Sequence, residues 1–253
     1  MKQLFSVAKF TVLQNISNKM FKGFAMFALF IILVIVSLKD IAIYESNTVI
    51  MDTGLALIEF FVLIMTIFIS ASQFIKDKNE KSIYLILTKP VSRGMYITGT
   101  IFGILAIIAL NVFSLGMILM FVLLWQKWVF TKWFIYALIF IFIKLGILAF
   151  IGVMFSVLSY SIMSANIFTI SIYVAAHGAT YIRDFATKQT NVAVKWLFDI
   201  MYYVLPKYNI LNYRDILSHE KLSYEPLTIS IYVVSYALII LIITNLVFYK
   251  KKI

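Results

Sequence analysis

The chain of 253 residues is 63% hydrophobic and only 13% charged, and its formal net charge is +11. Soluble globular domains are roughly half apolar and about a quarter charged, so an ordinary soluble enzyme is excluded. The absence of cysteine excludes disulfides, thiolate metal sites and a cysteine nucleophile, and two distant histidines, His177 and His219, do not suggest a zinc cluster. Most of the excess positive charge flanks hydrophobic runs. This position indicates that the basic residues face a membrane surface and do not bind nucleic acid.

The first 22 residues are predicted to form an interfacial helix, because apolar residues recur every four positions among lysines that suit an anionic lipid surface. The apolar stripe consists of Leu4, Ala8, Val12, Ile16 and Met20, with Phe5 beside it. The lysines are Lys2, Lys9, Lys19 and Lys22. Segment 1–22 is therefore expected to lie along the membrane and not to cross it.

Six hydrophobic stretches follow, each long enough for the roughly 20 helical residues that cross a hydrocarbon core about 30 Å thick. The predicted spans are 23–43, 54–75, 98–125, 133–159, 162–182 and 227–249. No small-x-small cleavage site follows the first run; Lys39 and Asp40 do, which indicates an uncleaved first span and not a signal peptide. The chain is thus predicted to be an all-α polytopic membrane protein with a single transmembrane domain over 1–253.

The distribution of charge predicts that both termini and the segment 76–97 are cytoplasmic. That side carries twelve Lys and Arg residues against two acids, Asp77 and Glu80, for a net charge of +10. The other side, which includes the segment 183–226, carries nine basic and eight acidic residues, for a net charge of +1. Because positively charged loops stay in the cytoplasm, we expect a protein of the inner (cell) membrane with an even number of spans.

The extracytoplasmic segment 183–226 is predicted to contain a second interfacial helix that ends before Pro206. Its apolar ladder, with a spacing of four, is Val192, Trp196, Ile200 and Val204. The aromatic residues of the segment are interpreted as a belt at the membrane interface: Trp196, Phe198, Tyr202, Tyr203, Tyr208 and Tyr213.

A short element of mixed polarity connects the second and third predicted spans. From Asp77 the sequence reads DKNEKSIYLILTKPVSRGMYITGT, and a helix is predicted over 80–87, ended by Pro90. A connection between two spans needs only a turn. An ordered element with both polar and apolar residues therefore indicates a docking surface at this end of the protein.

This connection resembles the one in permease subunits of ABC-2 type exporters. In that family an acidic–basic–acidic run precedes Gly-Thr, an apolar stretch, Pro-x-Ser-Arg and a Gly-Lys that opens the next helix. Here residues 77–80 match the first run with its second acid displaced by one position, and residues 90–93 match Pro-x-Ser-Arg in full. Lys81 replaces the glycine, Ser82 stands for the threonine, and Thr100 replaces the lysine.

The resemblance implies a transport subunit and not an enzyme, and it extends to YYVLPKYNILNYRD, residues 202–215, which is similar to the family's segment before the last span. In the family the cytoplasmic helix couples to a separate P-loop ATPase subunit, and two permeases, here expected to be a homodimer, join two ATPases. The chain has no G-x-x-x-x-G-K-[S/T] motif, so ATP is expected on the partner and no cofactor is expected in this chain. The residues expected to couple to the ATPase are Asp77, Glu80, Ser82, Leu85, Pro90, Ser92 and Arg93.

Two charged residues, Lys144 and Glu59, lie inside predicted spans. Lys144 is near the middle of the fourth span, where a charge costs at least about 2.5 kcal/mol on insertion scales, and Glu59 is near the outer end of the second. Such charges usually face a bundle interior or a wet cavity, so both are hypothesised to line or brace the translocation route. The alternative is a structural role, in which Lys144 snorkels or makes an ion pair. Lys144→Leu is expected to spare folding but reduce transport if the first hypothesis holds.

A polytopic enzyme acting on lipid and an ion-coupled secondary carrier are the alternative functions. An enzyme needs acids or histidines clustered at one membrane face, whereas the inner face offers only Asp77 and Glu80. A carrier usually has duplicated halves and helices broken near the midplane, and the sequence indicates neither. Export of lipid, drug or polysaccharide and metallocofactor maturation, as in nitrous-oxide reductase assembly, are equally compatible with the resemblance.

Overall fold

The computed structural model describes residues 2–16, 23, 26–34, 37, 46–88, 91–125, 127, 131–189, 191–214, 217 and 224–251. Within these ranges the chain forms helices and short connections without a β-strand, which confirms the all-α prediction. The helices are α1 (Lys2–Ile16), α2 (Ser46–Asn79), α3 (Ser82–Leu87), α4 (Arg93–Trp125), α5 (Lys132–Leu158), α6 (Ile162–His177), α7 (Ala179–Lys188), α8 (Val192–Val204) and α9 (Pro226–Lys250), with a 3₁₀ turn at Tyr208–Leu211. Residues 26–34 are also helical.

Among the described helices, four are long and apolar enough to cross a membrane: α2 from Ile50 onward, α4, α5 and α9. They overlap the predicted spans 54–75, 98–125, 133–159 and 227–249. The predicted span 162–182 corresponds to α6 and the start of α7, which bend by 64° where they meet and are long and apolar enough to cross a membrane only as a pair. The predicted first span, 23–43, lies partly outside the described residues.

The bend between α6 and α7 is located at Gly178. Its φ of −85° and ψ of 5° leave the helical region, and its N–H still donates to the carbonyl of Val174. The helix α6 therefore ends at His177. At 1.5 Å per residue, α6 is about 24 Å long and α7 is about 15 Å long.

Helix α5 is the centre of the bundle and α9 is at its edge. Two thirds of the apolar window of α5 (67%) is buried inside the chain, against 11% for α9. Gly152 of α5 lies tightly against Ser70 of α2, where a Cβ on the glycine would lie 2.0 Å from Ser70 Oγ. Small residues of this kind let the backbones of membrane helices approach closely.

Helix α1 packs on the first turns of α4 through two glycines. A Cβ on Gly99 would lie 2.7 Å from Val7 Cβ, and one on Gly103 would lie 2.7 Å from Thr11 Cβ. The buried face of α1 is therefore Val7, Thr11 and Asn15, one position before the predicted stripe. The glycine surface and the amide partners of Asn15 select this face, which the spacing of apolar residues does not reveal. The placement of α1 along the membrane stays a prediction.

Gly103→Ala is expected to undock α1 from α4. The new methyl group would lie 2.7 Å from Thr11 Cβ and 2.8 Å from the Ala8 carbonyl oxygen, and the backbone atom has no room to move. Overpacking of this kind costs about 1–3 kcal/mol, so the undocked population is expected to rise by a factor of roughly 5 to 100. The chain has no cysteine, so maleimide labelling of Thr11→Cys, buried in the docked state, measures this population without background.

The matched control for this experiment is Gly94→Ala on the same helix, whose new Cβ would lie 3.5 Å from Asn245 Oδ1, an ordinary contact. This control is expected to leave the labelling of Thr11→Cys unchanged. Equal labelling rates in the Gly103→Ala and Gly94→Ala backgrounds would show that α1 is not held at this surface.

Candidate functional site

A buried polar network lies where α1, α2 and α4 meet, and its centre is Asp77, which is only 1% exposed. Gln14 Nε2 and Gln73 Nε2 each donate to Asp77 Oδ1 at 3.1 Å. Tyr96 Oη donates to Asp77 Oδ2 at 2.5 Å, and Ser82 Oγ, at the start of α3, donates to the Asp77 backbone carbonyl at 3.2 Å. Together with Asn15, these residues are named the Asp77 network. It joins the base of α3 to α1 and α4.

The amide side chains of α1 complete the Asp77 network. Asn15 Nδ2 donates to Gln73 Oε1 at 2.9 Å, and Gln73 Nε2 also donates to Gln14 Oε1 at 2.7 Å. A buried carboxylate without partners is costly, so these donors allow Asp77 to lie inside the bundle. The resemblance pointed to Asp77 and Ser82 but to none of the amides. The available signal was the pair Gln73 and Asp77, four residues apart on one helix face.

Helix α3 is a separate element, set off from α2 by a left-handed residue. Lys81 has φ of 61°, which ends α2 and turns the chain into α3. The helix therefore begins at Ser82, two residues later than predicted. Ile83 is fully buried, whereas Tyr84 is 43% exposed, so α3 rests on the bundle with one face and presents another.

The other residues expected to couple to an ATPase are distributed around α3. Glu80 is exposed just before it. Ser92 is exposed just before α4 and accepts a hydrogen bond from the Met95 backbone N–H at 3.3 Å. Leu85 belongs to α3, but its side chain lies outside the described part of the structure, and Pro90 lies outside it altogether.

Arg93, the remaining coupling candidate, joins α4 to the end of α9. Its Nη1 donates to the backbone carbonyls of Tyr249 at 3.1 Å and Lys251 at 3.4 Å. Lys251 in turn donates through Nζ to the carbonyls of Val157 at 2.5 Å and Ser159 at 3.4 Å, at the end of α5. Burial lowers the pKa of Lys251 below its usual value. Cations at the carboxyl ends of helices are stabilising, so these two residues tie three helices together.

The second polar centre is the ion pair between the two charged residues of the predicted spans. Lys144 Nζ of α5 lies 2.6 Å from Glu59 Oε1 of α2, with side chains 9% and 13% exposed. The ammonium group also lies 5.9 Å from the ring centre of Tyr173 and 5.5 Å from that of Tyr208. These four residues are named the Lys144 cluster. The structure thus brings Lys144 and Glu59 together inside the bundle.

Two tyrosines of the predicted interfacial belt are core residues. Tyr208, in the 3₁₀ turn, and Tyr213 are each only 2% exposed. Their hydroxyl oxygens are buried without a hydrogen-bond partner among the described residues. Burial raises the pKa of Tyr213 to about 12 and that of Tyr208 well above its usual value, so both stay neutral. The belt interpretation is corrected for these two, while Trp196 and Tyr203 of α8 are exposed.

Helix α8 occupies the residues of the predicted ladder. Asn191 Oδ1 accepts a hydrogen bond from the Ala193 N–H at 3.0 Å and caps its start, and the helix ends before Pro206. No residue of α8 is buried, and α8 packs beside α7. Its placement in the outer interface of the membrane stays a prediction.

No protein-family model and no curated protein matches the chain. Function is therefore inferred from the arrangement of the helices, from the Asp77 network and from the Lys144 cluster.

Proposed function

We propose that the chain is the membrane-spanning permease subunit of an ABC-2 type exporter. The observation that carries this proposal is α3, a short separate helix between two long apolar helices, with Tyr84 exposed and its base bonded to Asp77 through Ser82. A partner that binds a helix placed in this way can displace it, and the displacement is transmitted to α2 and α4. The termini and α3 would lie on the cytoplasmic side of the inner membrane.

The backbone of Lys81 supports the same proposal. The residue has φ of 61°, a conformation that glycine adopts freely and that costs other residues free energy. Lys81 stands where the resembling family has glycine. A left-handed backbone at the position before α3 favours glycine, and in this chain a lysine occupies that position.

In the proposed mechanism a separate P-loop ATPase subunit binds at α3 and hydrolyses ATP. Closure of the ATPases would displace α3, and the Asp77 network would pass this displacement to α1, α2 and α4 as rigid helices. A second permease, expected to be a copy of this chain, completes the transporter, and alternating access moves a substrate between the two sides.

The test is to purify the tagged protein from its native host in mild detergent and to measure co-eluting ATPase activity. A stoichiometric P-loop subunit is expected with the wild-type chain. The variant Tyr84→Lys is expected to lose it, because this side chain is exposed on α3 and its replacement spares the core. Glu80 is unsuitable as a test position, because its carboxylate accepts a hydrogen bond from Gln14 Nε2 at 3.3 Å in the Asp77 network. Arg93→Ala is also unsuitable, because it removes the hydrogen bonds that join the start of α4 to the end of α9.

The matched control is Thr187→Lys, an exposed position on α7 far along the chain from α3. It is expected to keep the ATPase subunit bound. A wild-type protein that elutes without any ATPase, under conditions that preserve other such complexes, would contradict the proposal.

A further inference from the structure

A groove opens between the start of α4 and the end of α9. Its volume is about 340 Å³. The residues that line it are Arg93, Gly94, Ile242, Asn245, Leu246 and Tyr249. Since α4 and α9 are both candidate spans, the first residue of one and the last turn of the other mark the level where the hydrocarbon core gives way to lipid headgroups.

The groove is cationic at its mouth. Arg93 uses Nη1 for the carbonyls of Tyr249 and Lys251, but a guanidinium carries five N–H donors, so donors are left for an anion. Lys250 is exposed at the end of α9, beside the groove. Arginine and lysine at the membrane surface attract anionic lipids and not zwitterionic ones.

The walls of the groove are apolar, and no described residue covers them. Ile242, Leu246 and Tyr249 are exposed on α9. Gly94 contributes no side chain, which leaves the groove open toward α4. Asn245 also lines the groove. Its Oδ1 is buried next to Gly94 without a hydrogen-bond partner among the described residues. An occupant therefore needs a negatively charged head, polar groups near it and an apolar tail.

We infer that this groove binds an anionic phospholipid, with its phosphate at Arg93 and an acyl chain along Ile242 and Leu246. The lipid would fill the gap between α4 and α9, which pack together less closely than the central helices do. This inference requires only that α4 and α9 cross the membrane. It does not depend on an ATPase partner or on transport.

The test is native mass spectrometry of the full-length protein, titrated with phosphatidylglycerol or with phosphatidylcholine of identical acyl chains. Wild type is expected to retain phosphatidylglycerol about tenfold more tightly, because both lipids carry a phosphate but only phosphatidylglycerol has a net negative charge for Arg93 and Lys250 to attract. Gly94→Leu fills the groove and is expected to abolish this preference. The matched control is Gly23→Leu, which fills a groove with no charged residue in its described lining and is expected to keep the preference.

A second variant distinguishes a loss of lipid binding from misfolding of Gly94→Leu. Leu246→Trp fills the groove from the α9 side at an exposed position, so folding is spared, and it is expected to abolish the preference as Gly94→Leu does. The inference is overturned if wild type retains the two lipids equally. It is also overturned if folded Gly94→Leu and Leu246→Trp both retain phosphatidylglycerol as wild type does.

Discussion

Lys144→Leu is expected to destabilise the protein by about 3–5 kcal/mol, because it leaves the Glu59 carboxylate buried without its counter-ion. Lys144 Nζ lies 2.6 Å from Glu59 Oε1, and both side chains are largely buried between α2 and α5. The expectation from sequence that leucine spares folding is therefore replaced. The single variant therefore tests stability, and a loss of transport in this variant would not show that Lys144 lines the route.

The measurement for this pair is thermal unfolding of the purified variants in one detergent. The double variant Lys144→Leu and Glu59→Leu is expected to recover most of the loss, because apolar replacement of a whole buried ion pair is often neutral or stabilising. A single variant as stable as wild type would mean that the carboxylate is solvated, and that the two residues do not form a buried pair.

The same double variant separates the two roles considered for the pair. If Lys144 and Glu59 only brace α2 against α5, the folded double variant is expected to retain, at the wild-type rate, the ATP-driven transport that we propose for the complex. If they line the route, transport is lost although the protein is folded. The contacts of the Lys144 ammonium with Tyr173 and Tyr208 show that four elements of the fold meet at this point, so bracing is the role that the geometry itself supports.

Gly152→Ala is expected to separate the two central helices and to cost about 3 kcal/mol, the upper end for overpacking. The new Cβ would lie 2.0 Å from Ser70 Oγ and 2.7 Å from Ser70 Cβ. Ser70 Oγ is held by its hydrogen bond to the Thr66 carbonyl at 2.6 Å, so it does not yield easily. The gain of about 0.5–1 kcal/mol that alanine brings over glycine within a helix is too small to compensate.

Two further variants make the Gly152 prediction specific, and thermal unfolding measures all three. Ser70→Gly removes both clashing atoms, so Gly152→Ala with Ser70→Gly is expected to regain most of the lost stability. Gly146→Ala, on the same helix, meets only the flexible end of Leu105 at 3.2 Å and is expected to be close to wild type. Similar losses for Gly146→Ala and Gly152→Ala would contradict the close α2–α5 packing.

The sequence pattern was sufficient to predict those helices that depend on the residues of their own segment and not on distant contacts. The long apolar runs predicted α2, α4, α5 and α9 because a segment in hydrocarbon must satisfy its backbone hydrogen bonds internally, which makes it helical. The ladder from Val192 to Val204 predicted α8, and a proline soon after it marked its end. The bend at Gly178 was missed because 162–182 was long enough for one span, although His177 followed by Gly178 is a signal for the end of a helix.

Composition and the lengths of the apolar runs were enough to predict a helical membrane protein, the position of most of its helices and the charged residues of its two polar centres. The packing of the helices was needed to show that Glu59 meets Lys144, 85 residues away, and that Gln14 and Tyr96 meet at Asp77. It also decided that α1 buries Val7 and Thr11 and not the predicted stripe. The physical reason is that apolar periodicity reports helicity, whereas the rotation of each helix toward its neighbours depends on glycine surfaces and polar partners distant in sequence.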